Sequence, residues 1–230
     1  MLIAFEGPDG AGKTTQRKLF RTWLKNEGHE VATTKWNSSV LIKPLTRSRK
    51  LLRALSPLEF SLMHAADYRH RLETEVLPAL AAGKTVIADR YLFTGLARDA
   101  ARGLDFDWLI QLFGPILWPD IVFYFSVSPE TSAQRVAADR VPAYYEAGQD
   151  VTGIDDPMES YITFMRKVIG EYEALARVFR FVTIDAEKSI YEQHQTIREL
   201  YRKRKRRSWS DFNPEAVGDW LAERPEVRLV

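Results

Sequence analysis

The chain has 230 residues, 45% of them hydrophobic, and 33 Lys+Arg against 31 Asp+Glu give a formal net charge of +2. That length suits one α/β domain with a substantial core, and the near-balanced charge argues against polyanion binding by the whole molecule. The absence of cysteine excludes disulfides, thiolate catalysis and Cys-ligated zinc, His29, His64, His70 and His194 show no metal-ligand spacing, and no apolar run approaches the ~20 residues of a membrane span.

Leu2 to Phe5 is an apolar run of the kind a buried strand requires. It begins at once, which leaves no room for a secretory signal and points to the cytoplasm. Gly7-Pro8-Asp9-Gly10-Ala11-Gly12-Lys13-Thr14 follows and fits the pattern G-x-x-x-x-G-K-[ST]. From Thr15 to Glu27, Leu19, Phe20, Trp23 and Leu24 recur at helical spacing. Strand, glycine loop and helix make a phosphate cradle: the glycines let backbone N–H groups turn inward, and the helix N-terminus adds about half a positive charge. Gly7, Asp9, Gly10, Ala11, Gly12, Lys13, Thr14 and Thr15 form the expected cradle. In it Lys13 reaches the outer phosphates and the Thr14 hydroxyl ligates Mg²⁺.

Gly28 reads as a helix C-cap and Glu30 to Thr34 as a second strand. Lys35 to Ser39 is then a polar loop at a strand's C-terminal end, where parallel sheets bind ligands. Lys43 to Leu55 reads as a basic helix with a solvated charged face. Ser56-Pro57-Leu58-Glu59 opens a helix with Ser as N-cap, Pro at the first position and Glu at the third. This helix runs to Leu80 and stops near Gly83, with a kink expected at Pro78. Its polar middle (His64, Asp67, Tyr68, Arg69, His70, Arg71) is either a solvated turn or the lining of a pocket.

Thr85 to Ala88 is a third strand ending in Asp89-Arg90-Tyr91. A carboxylate there can hold a metal through water, and the guanidinium can clamp a phosphate; the plainer alternative is a surface ion pair. Helices follow over Phe93–Arg102 and Asp105–Phe113. Asp120 to Phe125 is almost wholly apolar, as a central strand is. Ser128-Pro129-Glu130 starts the helix that delivers Arg135 and Arg140 into a Gly/Pro-punctuated loop. That loop contains Tyr145 and is expected to act as a lid over about 139–155. Asp155-Asp156-Pro157 caps a long helix whose aromatic and Met stripe reads as core. Phe181 to Ile184 is the fifth strand, and Ser189 opens the last helix, which ends in the basic run Arg202–Arg207. The pattern predicts a five-stranded parallel sheet with helices on both faces over residues 1–207, and a C-terminal extension over 208–230.

Taken in order, the glycine loop, Asp89-Arg90-Tyr91, Glu73-Thr74 through Pro78-Ala79-Leu80, Pro119-Asp120, the lid arginines and Ile184-Asp185-Ala186 resemble the thymidylate kinase family of P-loop nucleoside monophosphate kinases over about residues 1–200. The resemblance implies a P-loop NTPase fold with a mobile lid and an ATP–Mg²⁺ cofactor pair. It implies a small nucleotide acceptor, a homodimer and no membrane partner. It assigns Asp9 to the acceptor's sugar hydroxyl or the metal, and Arg90 to the acceptor phosphate. Gly10 stands where some members carry an arginine in the glycine loop; members that lack it there place the catalytic arginine in the lid, here Arg135 or Arg140. Asp185 and Ala186 are implied to lie against adenine.

The departures gather on the base side. Lys35-Trp36-Asn37 stands where the family has Arg-Glu-Pro, and His64 where a Phe stacks on thymine. Tyr68, or Arg69 with a one-residue shift, stands at the base-binding arginine, and Asp99 at a pyrimidine-contacting Gln or Thr. Lys35, His64, Tyr68, Arg69, Asp99 and Tyr145 are thus the expected acceptor-binding set, beside Asp9 and Arg90. The first expectation is phosphoryl transfer from ATP to dTMP; the second is a kinase of the same fold with another acceptor. A third is a nucleotide- or nucleic-acid-binding protein, resting on Arg202–Arg207 with Trp209 and Phe212, a run that reads first as a solvated helix end.

Overall fold

The computed structural model describes residues 1–203. Arg204–Arg207, Trp209, Phe212 and the rest of the 208–230 extension lie outside the described residues.

The elements in chain order are β1 (Leu2–Glu6), α1 (Lys13–Asn26), β2 (Val31–Lys35), α2 (Ile42–Leu51), α3 (Pro57–Arg71), α4 (Leu77–Ala81), β3 (Thr85–Asp89), α5 (Leu92–Ala100) and α6 (Phe106–Phe113). They continue with β4 (Ile121–Ser126), α7 (Pro129–Ala137), α8 (Tyr144–Ala147), α9 (Gln149–Thr152), α10 (Pro157–Val178), β5 (Val182–Asp185) and α11 (Ile190–Arg202). The strands form one parallel sheet in the order β2-β3-β1-β4-β5. Every residue of β1 is buried, as the central strand of a sheet covered on both faces must be.

Successive side chains of a strand point to opposite faces, and the core divides accordingly. Leu2 and Ala4 join Val86, Ala88, Val122 and Tyr124 against α3, α5 and α10. Ile3 and Phe5 join Ile87, Phe123 and Phe125 against Phe20 and Leu24 of α1 and Ile197 and Tyr201 of α11. The Phe5 ring sits 5.5–5.8 Å from those of Phe20, Phe123 and Phe125. Burying one such ring stabilises the fold by about 2–3 kcal/mol.

The expected caps are present. Ser56 accepts from the Glu59 N–H while Glu59 returns to the Ser56 N–H, and Ser189 and Glu192 repeat the arrangement. The expected kink at Pro78 takes another form. Pro78 has no N–H, and its ring crowds the carbonyl of Thr74. The chain widens into a π turn over Leu72–Val76, just upstream, and resumes as α4.

The 139–155 segment is less open than a loop. Its second half forms α8 and α9, with Tyr145 and Ala147 buried. The Tyr145 hydroxyl accepts from the Leu55 N–H (2.8 Å) and donates to the Leu55 carbonyl (3.2 Å). Gly148 has φ of 74°, and a Cβ there would lie 2.3 Å from the Phe164 ring of α10. The stretch between α7 and α8 and the short 153–155 connection lack regular structure.

Candidate active site

The glycine loop is pressed into the body of the protein. A Cβ on Gly7 would stand 2.6 Å from the Phe125 carbonyl, and one on Gly10 would stand 2.7 Å from that of Ser132. Ser132 also donates to the Asp9 carbonyl (2.7 Å). The loop opens on a cavity of about 410 Å³ lined by Gly10, Gly12, Lys13, Thr14, Thr15, Lys35, Asp89 and Arg140, among others. Lys13 is buried and donates to the Pro8 carbonyl. Burial, with Arg90 adding repulsion, pushes its ammonium down to about 7 against the pull of Asp9, Asp89 and Glu6. Asp89 is paired with Arg17 of α1 at 3.1 Å.

Arg90 follows β3 with φ of 66°, a left-handed conformation that costs a non-glycine residue about 1–3 kcal/mol. Several bonds hold it there. Its N–H donates to the Phe5 carbonyl (3.1 Å), extending the sheet, and its guanidinium to the Gly7 carbonyl (2.7 Å). Glu6, at the end of β1, fixes the next residues: its carboxyl accepts from the Tyr91 N–H (2.7 Å), the Thr94 hydroxyl (2.7 Å) and the Tyr172 hydroxyl (3.0 Å). Complete burial raises the Glu6 carboxyl above its ordinary range despite these donors.

Asp9 joins the two halves of the site. One carboxylate oxygen pairs with Arg90 and the other with Arg98 of α5 at 3.1 Å. Against the cost of burial, Arg90, Arg98, Lys13 and Arg140 hold its carboxyl well below the usual range. From Asp9 a second cavity of about 230 Å³ leads away from the glycine loop. Arg90, Thr94, Arg98 and Arg140 line its near end; Trp36, Asn37, Lys50, Phe60, His64, Tyr145 and Glu146 line the rest. Arg140 is held by Glu146 through two 2.6 Å bonds. Lys50 lies 4.6 Å over the Phe60 ring, and burial, with Arg98 and Arg102 nearby, pushes it down to about 8.

Asp9, Gly10, Gly12 to Thr15, Lys35, Asp89, Arg90, Arg140, His64 and Tyr145 thus gather around two adjoining cavities, with Gly7 and Ala11 buried outside their linings. The remaining expected residues lie outside the linings of these two cavities. Tyr68 is buried and bonds the Tyr91 hydroxyl at 3.2 Å, away from the cavity lining. Arg69 does not replace it: its guanidinium is engaged by the Gly114 and Pro115 carbonyls. Asp99 lies behind His64, 3.3 Å from Nδ1, and is fully buried. Arg135 is bound to the Gly10 and Ala186 carbonyls, so of the two lid arginines Arg140 is the one that lines the cavities. Asp185 is exposed and caps the Glu187 N–H at 2.9 Å. Ala186 is buried, its carbonyl facing Arg135.

Sequence reasoning missed Arg98 and Lys50. Thr94 and Arg98 are four apart on one helix, which places Arg98 on the face of Thr94 and turns Asp99 about 100° away. Lys50 sat in a run read as a solvated face, and nothing in its spacing separated it from Arg47 or Arg49. Glu6 and Arg17 left no signal beyond their nearness to the glycine loop.

A family model described as thymidylate kinase matches residues 5–197. The chain is 36% identical over 202 residues to a probable thymidylate kinase 2 of Saccharolobus solfataricus, covering 87% of this chain and 94% of that protein. It is 34% identical to a probable thymidylate kinase of Thermococcus kodakarensis, covering 78% and 85%. It is 31% identical to a thymidylate kinase of Geobacillus sp. strain WCH70, covering 83% and 90%.

Proposed function

The chain belongs to the thymidylate kinase family, and from that premise we infer an ATP-dependent transfer of a phosphoryl group to dTMP, giving dTDP and ADP. The observation that carries the assignment of roles is Asp9 clamped between Arg90 and Arg98, where the phosphate cradle meets the second cavity. ATP's phosphates lie along the backbone amides of Gly10 to Thr15, with Lys13 on the outer ones. The acceptor enters the second cavity with its phosphate on Arg90 and its sugar toward Asp9. Its base lies among Trp36, Phe60 and His64.

The Thr14 hydroxyl and the Asp89 carboxylate are hard oxygen donors. No group of three His, Cys, Asp or Glu able to cage a metal occurs among the described residues, which fits Mg²⁺ held by one or two protein oxygens and by phosphate. Bound there, Mg²⁺ supplies charge neutralisation on the transferring phosphoryl group. Phosphoryl transfer asks little covalent chemistry of the protein; it needs positioning and fixed charge. Arg90 holds the acceptor phosphate in line, Lys13 follows the migrating group, and Arg140 approaches from the edge of the lid.

We propose that a second copy of the chain covers the exposed leucines at α2 and α3: Leu41, Leu45, Leu52, Leu58 and Leu62 are 47–71% exposed. No helix among the described residues is long and apolar enough to cross a membrane. We propose a cytoplasmic location on the strength of the family membership.

The test is a coupled ADP-release assay with ATP and magnesium across nucleoside monophosphates. Turnover should be highest with dTMP. Background rates with dTMP and rapid turnover of another acceptor would overturn the substrate assignment and leave the kinase fold intact.

A further inference from the structure

The base end of the acceptor cavity contains a histidine whose hydrogen-bonding sense is fixed from behind. His64 Nδ1 lies 3.3 Å from Asp99 Oδ2, and both residues are buried. A carboxylate oxygen accepts, so the ring proton belongs on Nδ1 and Nε2 keeps its lone pair. The imidazole is packed between Phe60 and Trp36, with ring centroids at 4.2 and 5.1 Å, so it is not free to turn over. The charged groups that act on it besides Asp99 include Lys50 of α2 and Arg102, two residues past the end of α5, and both are cations. Burial keeps the ring neutral against the pull of Asp99.

His64 lines the same cavity as Asp9, Arg90 and Arg98. Among the described residues no hydrogen bond engages Nε2, and Nε2 is not sealed off as Asp99 Oδ1 is, so it meets the cavity. Two neighbours are already committed: the Tyr145 hydroxyl to Leu55, and the Glu146 carboxylate to Arg140.

We propose that His64 Nε2 accepts the ring N3–H of the acceptor's pyrimidine and thereby selects 4-oxo over 4-amino bases, with Asp99 as the positioning residue that sets the tautomer. Thymine and uracil carry a hydrogen on N3. Cytosine carries a lone pair there, which would face the lone pair of Nε2 with no proton between them. A site built around one buried polar contact rejects the analogue lacking it more strongly than an apolar pocket can. This inference rests on the pyrimidine monophosphate kinase reading given above.

The experiment is steady-state kinetics of the full chain with ATP and magnesium, using dTMP, N3-methyl-dTMP and dCMP. The wild type should favour dTMP over both others by at least about 30-fold in kcat/KM, mostly through KM. His64→Phe keeps a ring of similar size without the acceptor atom. It should lower dTMP turnover several-fold and narrow both preferences to within about threefold. Asp99→Asn can donate to Nδ1, making Nε2 a donor, and should narrow the dTMP-over-dCMP preference with circular dichroism unchanged. Equal use of dTMP and N3-methyl-dTMP by the wild type would overturn the proposal, and needs no variant to fold. A methyl penalty that persists in His64→Phe would also overturn it, by marking the penalty as steric. Failure of the wild type to phosphorylate any pyrimidine monophosphate is a separate result that removes the proposed function itself.

Discussion

The two ends of the acceptor cleft hold their groups by different means. At the phosphate end, charge is fixed by backbone and by opposite charge: Arg90 is tied to Gly7 and Asp9, and Asp9 in turn to Arg98. At the base end, rings pack on rings. Phe60 lies 4.2 Å from His64 and 5.4 Å from Tyr145, and Trp36 lies 5.1 Å from His64. Electrostatic work falls steeply with misplacement, so the fold accepts a left-handed backbone at Arg90 to aim one guanidinium. On the proposed roles, base selection rests on shape and few polar contacts, so residues there can change while the pocket persists. Of the sequence departures from the family, Trp36, Asn37 and His64 line the second end, while Lys35 lines the glycine-loop cavity.

If that contrast is sound, damage at the two ends should differ in kind. Lys13→Ala should lower kcat by about 10³-fold or more with the KM for dTMP little changed, measured by coupled ADP release, with circular dichroism confirming the fold. Asp9→Asn, at the junction, should cost about 10²-fold in kcat/KM, because two guanidiniums lose the carboxylate that spaces them. At the base end, Tyr145→Phe should leave kcat within about threefold. It should cost about 1–3 kcal/mol in urea unfolding, because the Leu55 N–H is left buried without its acceptor. A larger kinetic effect from Tyr145→Phe than from Asp9→Asn would break the comparison.

Two further outcomes sharpen the picture of the phosphate end through protons. Lys13 sits at about 7 in the free protein, and polyphosphate raises an ammonium beside it. ATP binding should therefore take up a proton at pH 8 and little at pH 6, read by calorimetry in buffers of different ionisation heat. Glu6 has its carboxyl raised by burial, so its stabilising protonated form is complete below its ordinary value of 4.5 and is lost as pH rises through the folded value. Glu6→Gln removes that dependence. Relative to wild type, its stability should improve as pH rises above 4.5, measured by urea unfolding at several pH values.

The fold was legible because its signals are local. Apolar runs gave five strands, and Ser56 and Ser189 marked helix starts by chemistry that acts over three residues. The phosphate end was legible for the same reason: Gly7 to Thr14 and Asp89-Arg90 are contiguous in sequence. The base end was not, because its residues meet only through packing. Neighbours in a helix point in different directions, and sequence could not say whether Arg98 or Asp99 faced the cleft. Tyr68 and Arg69 were both plausible base contacts until the packing of α3 turned one toward Tyr91 and the other toward Gly114. Pro78 marked a disturbed helix correctly, but the disturbance settled in Leu72–Val76, the turn able to relax.

Arg140 sits on a short span whose two ends are anchored, by the C-terminus of α7 on one side and by the Tyr145–Leu55 and Gly148–Phe164 contacts on the other. A tether of that length, moored at both banks, has little slack. Its guanidinium is therefore expected to move by rotation about its own side-chain bonds, over a few ångströms, with little swing of the span itself. Lengthening the span by inserted glycines would trade that short stroke for a loose one, and the cleft would lose its grip on the arginine before it lost its shape.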